Sequence, residues 1–122
     1  KRSTDDRGAI PYSVFIEPNL SRVGLSETEA IEKGYDIKVA KLQVAAIPRA
    51  RVINEIEGVM KAIVDAKTNK ILGCTLLSAE SGEIINIVSP AMKANLDYTF
   101  LRDNIFTHPT MSEALNDLFS LI

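Results

Sequence analysis

The sequence predicts an α+β fold, in which helices pack on one side of an antiparallel sheet. Three observations carry this prediction. Residues 58–66 and 71–79 are apolar runs rich in β-branched side chains, and the polar segment 67–70 between them is typical of a hairpin. Residues 81–95 change to the apolar repeat of a helix. Strands and helices do not alternate regularly along the chain, which argues against a parallel sheet.

Two short strands and one helix are expected before that hairpin. Residues 12–16 and 21–25 are short extended candidates, separated by a turn-prone Glu-Pro-Asn sequence. Ser26 and Glu29 then form a capping box, because the serine hydroxyl can accept from the Glu29 amide while the Glu29 carboxylate reaches back. The helix that follows should end at Gly34, where a left-handed backbone costs glycine little.

The middle of the chain is expected to add a strand and a long helix. Residues 36–45 alternate in polarity like a half-buried strand, and residues 46–51 are expected to form an irregular or one-turn helical connection. In the helix over residues 81–95, Pro90 should remove one backbone hydrogen bond and kink the helix, at a cost of about 3 kcal/mol. Apolar positions cover so much of this helix that we expect burial on two sides and self-association of the domain.

The end of the chain is expected to be helical. Residues 99–104 should form a helical turn, and residues 111–122 the final helix with its apolar positions on one face. Residues 1–9 are polar and charged, and we expect them to be a linker from a preceding domain. Residues 10–122 are long enough for one domain. Both ends read like internal sequence, so we expect this chain to be a piece of a longer protein.

The composition excludes several classes of protein. The 122 residues are 46% hydrophobic and 25% charged, as in a globular protein rather than a disordered one. A net charge of −2 argues against a nucleic-acid partner held by phosphate attraction. Every apolar run is far shorter than the roughly 20 residues of a membrane span. We therefore expect neither nucleic acid nor membrane as a partner.

The single cysteine and single histidine limit the chemistry further. One cysteine allows no internal disulfide, no redox cysteine pair and no cysteine-based zinc site, which favours a reducing, cytoplasmic location. We expect no metal site. Cys74 lies in a predicted central strand, and we interpret it as a buried apolar residue rather than a nucleophile. The chain has no glycine-rich phosphate loop, so any dinucleotide site must lie elsewhere.

His108 is the candidate catalytic residue. It lies in a turn beside Pro109, and histidine can both take and give a proton near neutral pH. If the chain folds back at Pro109, the Glu113 carboxylate can accept from one ring nitrogen and fix the tautomer. Glu113 also completes a second capping box with Thr110, so a purely structural cap is an open alternative. A hydrolase triad with Ser112 is disfavoured, because members this close in sequence seldom align with an oxyanion hole.

Residues 107–115 resemble a known signature. They read Thr-His-Pro-Thr-Met-Ser-Glu-Ala-Leu, similar to the His-Pro-Thr…Glu ending of the flavoprotein pyridine nucleotide-disulfide oxidoreductases, such as glutathione reductase, dihydrolipoamide dehydrogenase and mercuric reductase. Three further blocks resemble the same family in order and spacing: Ile10-Pro11 to Glu29-Ala30, Gly58 to Gly73, and Glu83-Ile84-Ile85. Together the blocks cover about residues 10–119.

The resemblance implies that this chain is the C-terminal dimerisation domain of an FAD-dependent disulfide reductase that uses NAD(P)H. The FAD and NAD domains, with the redox-active cysteine pair, would belong to the same parent chain, and the parent would be a homodimer. His108 would be the acid/base acting on the partner subunit's disulfide, with Glu113 as its orienting partner. His108–Pro109 would be a cis peptide beside the partner's flavin, so that both residues contact this cofactor. The isolated piece would bind no cofactor and catalyse nothing.

Some positions depart from the family pattern. Pro18-Asn19 stands where Pro-Glu is frequent, Ser81-Gly82-Glu83 replaces Ala-x-Glu, and Pro90 lies inside the interface helix. The ending has no trailing cysteine pair, and it resembles a bacterial branch linked to defence against reactive chlorine or hypothiocyanous acid more than mercuric reductase. The alternative from a different class is a stand-alone, non-enzymatic α+β module that dimerises or binds proteins.

Overall fold

The computed structural model describes residues 9–122, and in this range the predicted α+β class is confirmed. The linker predicted over residues 1–9 lies outside the described residues, except for Ala9. Five strands form one antiparallel sheet in the order β1-β2-β5-β4-β3. In chain order they are β1 (Tyr12–Val14), β2 (Leu20–Gly24), β3 (Ile37–Gln43), β4 (Val59–Asp65) and β5 (Ile71–Leu77).

Five α-helices lie in the described part of the chain. They are α1 (Glu27–Glu32), α2 (Pro48–Val52), α3 (Ser81–Lys93), α4 (Thr99–Asp103) and α5 (Ala114–Phe119), with a short 3-10 helix over Val44–Ala46 before α2. α3 packs on β2 and β5, and α5 packs on β3 and β4. The short α1 borders the opposite face of the sheet, because its Glu27 pairs with Lys61, whose strand neighbours point into the core.

The predicted hairpin is formed by β4 and β5, which supply the centre of the core. Met60, Ala62 and Val64 alternate along β4 and are fully buried, as the period of a strand requires. In the turn, the Lys67 amide donates to the Asp65 carboxylate at 2.9 Å, and this bond holds the pKa of that carboxyl below its usual value. The core is completed by buried side chains of α3 and α5: Ile84, Ile85, Val88, Ala91, Ala114, Leu115, Leu118 and Phe119.

The start and end of α1 agree with the sequence prediction. The Ser26 hydroxyl accepts the Glu29 amide at 3.1 Å, and the Ser26 amide donates to the Glu29 carboxylate at 3.1 Å. Gly34, just after the helix, has a φ of +85°, a conformation that glycine adopts without the steric cost of a Cβ. The predicted capping box and glycine stop are both confirmed.

α3 is formed as one helix over Ser81–Lys93 with Pro90 inside it, and the kink expected at Pro90 stays a prediction. Proline removes the donor for the carbonyl four residues back, which belongs to Asn86; both residues lie on the exposed side, where water can bond that carbonyl. The excess of apolar surface expected of this helix is wrong, because none of the large apolar side chains that are exposed in residues 9–122 lies on α3.

Other elements have bounds that differ from the predicted ones. The segment predicted to be irregular contains the 3-10 helix and α2, which begins at Pro48, a position where proline is tolerated. The last helix begins at Ala114 rather than residue 111, because residues 111–113 form a turn in which the Ala114 amide bonds Met111 O at 3.1 Å. No helix in the described residues has the length and apolar character that a membrane span needs.

Candidate functional site

His108 lies on the surface in the segment that connects α4 to α5. Buried anchors hold this segment on both sides, Leu101 in α4 and Met111 just before α5, each 1% exposed. The His108 side chain itself is 68% exposed. The His108–Pro109 peptide is cis, as the family resemblance implied. The ring therefore stands outside the core on a backbone that the core anchors at two points.

Glu113 holds the imidazole of His108 through both carboxylate oxygens. Nδ1 of His108 lies 2.7 Å from Oε1 and 2.9 Å from Oε2. Because a carboxylate can only accept, Nδ1 carries the proton and donates it, and Nε2 is left as the nitrogen that can take a proton. The Glu113 side chain is only 17% exposed, so water competes little for this bond. The predicted pairing of His108 with Glu113 is present.

The two reciprocal hydrogen bonds predicted between Thr110 and Glu113 are also present, although they close the turn before α5, whose N-cap is Glu113 itself. The Thr110 amide donates to Glu113 Oε1 at 3.3 Å, and the Glu113 amide donates to the Thr110 hydroxyl at 3.3 Å. One carboxylate therefore serves the cap and the imidazole at the same time. The structural cap and the orienting partner, which the sequence left as alternatives, are compatible in this geometry.

Asn116 is a residue of this site that the sequence reasoning missed. From the first turn of α5 its side-chain amide nitrogen lies 3.0 Å from the carbonyl of Leu101, 3.1 Å from that of Arg102 and 2.8 Å from that of Asn104, and the three carbonyls share its two N–H donors. These carbonyls end α4, where helical carbonyls lack intrahelical partners. The only signal in the sequence is that Asn116 lies three residues after Glu113, on the same side of a helix. Asn116 therefore binds the beginning of the segment that carries His108, and Glu113, which precedes α5, binds its end.

Cys74 is buried and does not have the properties of a reactive thiol. It is 2% exposed within β5, and burial raises the pKa of its thiol to about 12. A thiol with this pKa is protonated at neutral pH, so the interpretation of Cys74 as a buried apolar residue is confirmed.

Ser112 is not part of a catalytic triad in this geometry. Within residues 9–122, the hydrogen bonds of the His108 ring go to Glu113 and not to Ser112. Nor does the described part of the chain bring together three or more His, Cys, Asp or Glu side chains that could hold a metal ion. The candidate site therefore consists of His108 and Glu113, with Thr110 and Asn116 supporting them.

Comparison with protein families identifies one match. Residues 10–119 match the family described as pyridine nucleotide-disulphide oxidoreductase, dimerisation domain. The probable pyridine nucleotide-disulfide oxidoreductase RclA of Escherichia coli is 63% identical over 122 residues, which cover 100% of this chain and 28% of that protein. A mercuric reductase of Lysinibacillus sphaericus is 39% identical over 110 residues, 90% of this chain and 20% of that protein. This chain therefore spans less than a third of the length of these relatives.

Solved structures give the same result for the fold. The HOCl-induced flavoprotein disulfide reductase RclA from Escherichia coli superimposes with a TM-score of 0.98 at 63% identity, over 100% of this chain and 28% of that one. LpdA from Mycobacterium tuberculosis gives a TM-score of 0.84 at 16% identity, over 91% of this chain and 24% of that one, and this likeness supports the fold alone. The similarity to an HOCl-induced reductase agrees with the reactive-chlorine branch that the ending of the sequence favours.

Proposed function

This chain belongs to the pyridine nucleotide-disulphide oxidoreductase dimerisation domain family, and we propose that it serves an FAD-dependent NAD(P)H:disulfide oxidoreductase by supplying a His108–Glu113 acid–base pair. The observation that carries the proposal is the contact of an exposed imidazole with both oxygens of a shielded carboxylate. In that arrangement Nε2 can accept and donate a proton while the bond to Glu113 keeps the ring in its orientation. A capping role alone would not require the histidine.

The sulfur chemistry has to come from outside this domain. Cys74 is the only cysteine of the chain, and it is buried and protonated. The exposed Nε2 of His108 therefore needs a thiol from elsewhere, and in a dimerisation domain the partner subunit is the natural source. We assign to Nε2 the removal of the thiol proton as the partner's reduced cysteine forms a bond to a substrate sulfur, and its return to the thiolate released when the substrate S–S bond breaks.

FAD and NAD(P)H fit the parent enzyme rather than this chain alone. The described residues include no glycine-rich loop for a pyrophosphate, so the two cofactors would be held by other domains of the parent. When bound there, the flavin supplies electrons from NAD(P)H to the cysteine pair. The part of this chain that fits a contact with the partner's flavin is the exposed cis His108–Pro109 turn, which the core anchors in place.

We also propose that the parent enzyme is a homodimer in the cytoplasm. The family description supports a homodimer, and a chain with a single cysteine suits a reducing cytoplasm. Sedimentation of the full-length reductase at several concentrations tests the first point. A monomer at all concentrations would remove the partner subunit as the source of the thiol.

The test of the acid–base role is His108→Gln in the full-length reductase. We expect turnover of an aryl disulfide probe, dithiobis-nitrobenzoate, to fall by roughly 10²–10⁴-fold, because a positioned acid–base contributes that much. Anaerobic stopped-flow reduction of the flavin by NAD(P)H should keep its rate. Lys33→Gln, at the exposed end of α1, is the control and should leave both rates unchanged.

Two outcomes would contradict this proposal. An equal loss in both half-reactions would mean that His108→Gln damages the enzyme generally. Unchanged turnover would leave the domain a scaffold, in line with the alternative of a non-enzymatic dimerising module.

A further inference from the structure

We propose that Thr110 is a positioning residue, which fixes the tautomer and direction of the His108 ring by locking the Glu113 carboxylate. This inference rests on the proposed acid–base function and extends it to a side chain that touches neither the ring nor a reacting atom. It depends on three hydrogen bonds that converge on Thr110 from both sides of the His108–Pro109 peptide.

The first step is the hydroxyl of Thr110, which donates one hydrogen bond and accepts another. It donates to the carbonyl of Thr107 at 2.7 Å and accepts the Glu113 amide at 3.3 Å. The bond to Thr107 closes the turn around the cis peptide, joining the residue before His108 to the residue after Pro109. The hydroxyl thereby ties the backbone that carries the ring to the backbone that carries its partner.

The second step is the carboxylate of Glu113. Its Oε1 accepts from the Thr110 amide at 3.3 Å and from His108 Nδ1 at 2.7 Å, while Oε2 accepts from the same Nδ1 at 2.9 Å. The Thr110 amide therefore holds one oxygen while the ring contacts both. Because the Thr110 hydroxyl also binds the Glu113 amide, the glutamate is fixed at its backbone and at its side chain by one residue.

The third step is the effect on the ring. A carboxylate can only accept a hydrogen bond, so the contact of Glu113 with Nδ1 confines the proton of the neutral ring to that nitrogen. The ring is 68% exposed, so little packing holds it otherwise. If the turn loosens, the carboxylate moves away from Nδ1, and the proton is no longer confined to that nitrogen. The acid–base nitrogen would then be Nε2 for only part of the molecules.

Substitutions at Thr110 separate this role from a simple cap. Thr110→Val has nearly the same shape but has no hydroxyl, whereas Thr110→Ser keeps the hydroxyl and loses only a methyl group. If the residue only packs, valine is the better replacement. If the hydroxyl positions the glutamate, serine is the better replacement.

The experiment uses the full-length reductase with ¹⁵N-imidazole histidine, in which the His108 signals are assigned by their loss in His108→Gln. In the wild type we expect the ¹⁵N shifts of the Nδ1-protonated tautomer. Thr110→Val should shift them toward a tautomer mixture and lower kcat for the dithiobis-nitrobenzoate probe by up to roughly 100-fold, the scale of a small misplacement of a catalytic group. Thr110→Ser should keep the wild-type ¹⁵N shifts and the wild-type kcat. The rate of flavin reduction by NAD(P)H should be the same in the wild type and in both Thr110 variants.

Several results would overturn the inference. One is wild-type tautomer shifts in Thr110→Val, and another is a serine variant as impaired as the valine variant. Should Thr110→Val fail to fold, the serine variant still decides, since a loss of Nδ1 protonation there contradicts the role of the hydroxyl. The tautomer is read without turnover, so it tests Thr110 even if His108→Gln proves to be fully active and the proposed function itself fails.

Discussion

Cys74 and His108 are the only cysteine and the only histidine of this chain, and the fold treats them in opposite ways. Cys74 lies in the middle of β5, 2% exposed, with a thiol pKa raised to about 12 by burial. His108 lies in a turn without regular structure, 68% exposed, and is oriented by a carboxylate. The sheet thus makes a reactive residue type inert, while the turn keeps another one available and aimed.

The difference shows how exposure and rigidity are combined. A strand in the core holds a side chain by packing, which also removes it from water and reagents. Packing cannot hold an exposed ring, so hydrogen bonds hold it instead: Glu113 accepts one from the ring, while Thr110 and Asn116 donate to backbone carbonyls of the turn. Three predictions test this contrast and a fourth concerns another part of the domain, and they are given from the largest expected effect to the smallest.

The first concerns the inertness of Cys74. Burial raises its thiol pKa from the ordinary 9.0 to about 12, so the thiolate fraction near pH 8 falls about 10³-fold, and burial also blocks access of the reagent. Alkylation by iodoacetamide, followed by mass spectrometry, should be at least that much slower in the native chain than in urea. A cysteine introduced at exposed Thr28 in a Cys74→Ala background is the control and should react at the unfolded rate. Equal rates for the two cysteines would refute the contrast.

The second concerns packing as the means of fixing the core. Phe119 is fully buried at the end of α5, so Phe119→Ala should lower the free energy of unfolding by about 3–5 kcal/mol, through lost burial and the cavity left behind. Urea unfolding followed by circular dichroism measures this. Phe15→Ala removes the same side chain at a position that is 83% exposed and should change stability by less than about 0.5 kcal/mol. A similar cost at both sites would show that burial does not decide it.

The third concerns hydrogen bonds as the means of fixing the turn. Asn116→Ala leaves the carbonyls of Leu101, Arg102 and Asn104 without their side-chain donor, which should cost about 1–3 kcal/mol in urea unfolding. Asn86→Ala, at an exposed position of α3, should stay within about 0.5 kcal/mol of the wild type. If the two variants are equally stable, the contacts of Asn116 do not hold α4.

The smallest effect is a pH dependence outside both regions. Thr99 donates to Asp97 through its hydroxyl and its amide, and these bonds hold the pKa of the Asp97 carboxyl below its ordinary value of 3.8. A lowered pKa in the folded state adds stability above about pH 3.8, and this is lost as the pH falls through the lower folded value. The stability difference between wild type and Asp97→Asn should therefore shrink from pH 5 toward pH 2. A difference that stays constant with pH would contradict the assignment.

Much of the frame could be predicted from the sequence because its signals are local. The alternation along β3, the capping box of Ser26 with Glu29 and the stop at Gly34 each depend on residues a few positions apart. The pairing of His108 with Glu113 was within reach for the same reason, since five positions and one turn connect them. Its catalytic use stays a prediction that the experiments above decide.

What could not be predicted depends on contacts between distant residues or on backbone geometry. Asn116 reaches Leu101 across fifteen positions, and no local pattern indicates this. The cis peptide at Glu17–Pro18 was not foreseen, because both isomers of such a bond are compatible with a turn-prone sequence. The prediction of excess apolar surface on α3 was wrong because the sequence does not show how many other strands and helices cover a helix.

The six residues of α5 have two duties that are usually kept apart. The helix packs into the hydrophobic core through Leu115, Leu118 and Phe119. Its Asn116 binds the backbone of the turn, and the adjoining Glu113 orients the exposed His108 ring. A substitution that disturbs the packing of α5 would therefore also disturb the orientation of the His108 imidazole, even if it makes no contact with that ring. Losses of activity should therefore arise deep inside the protein as well as at its surface, and surveys of inactive variants should not be confined to the neighbourhood of the ring.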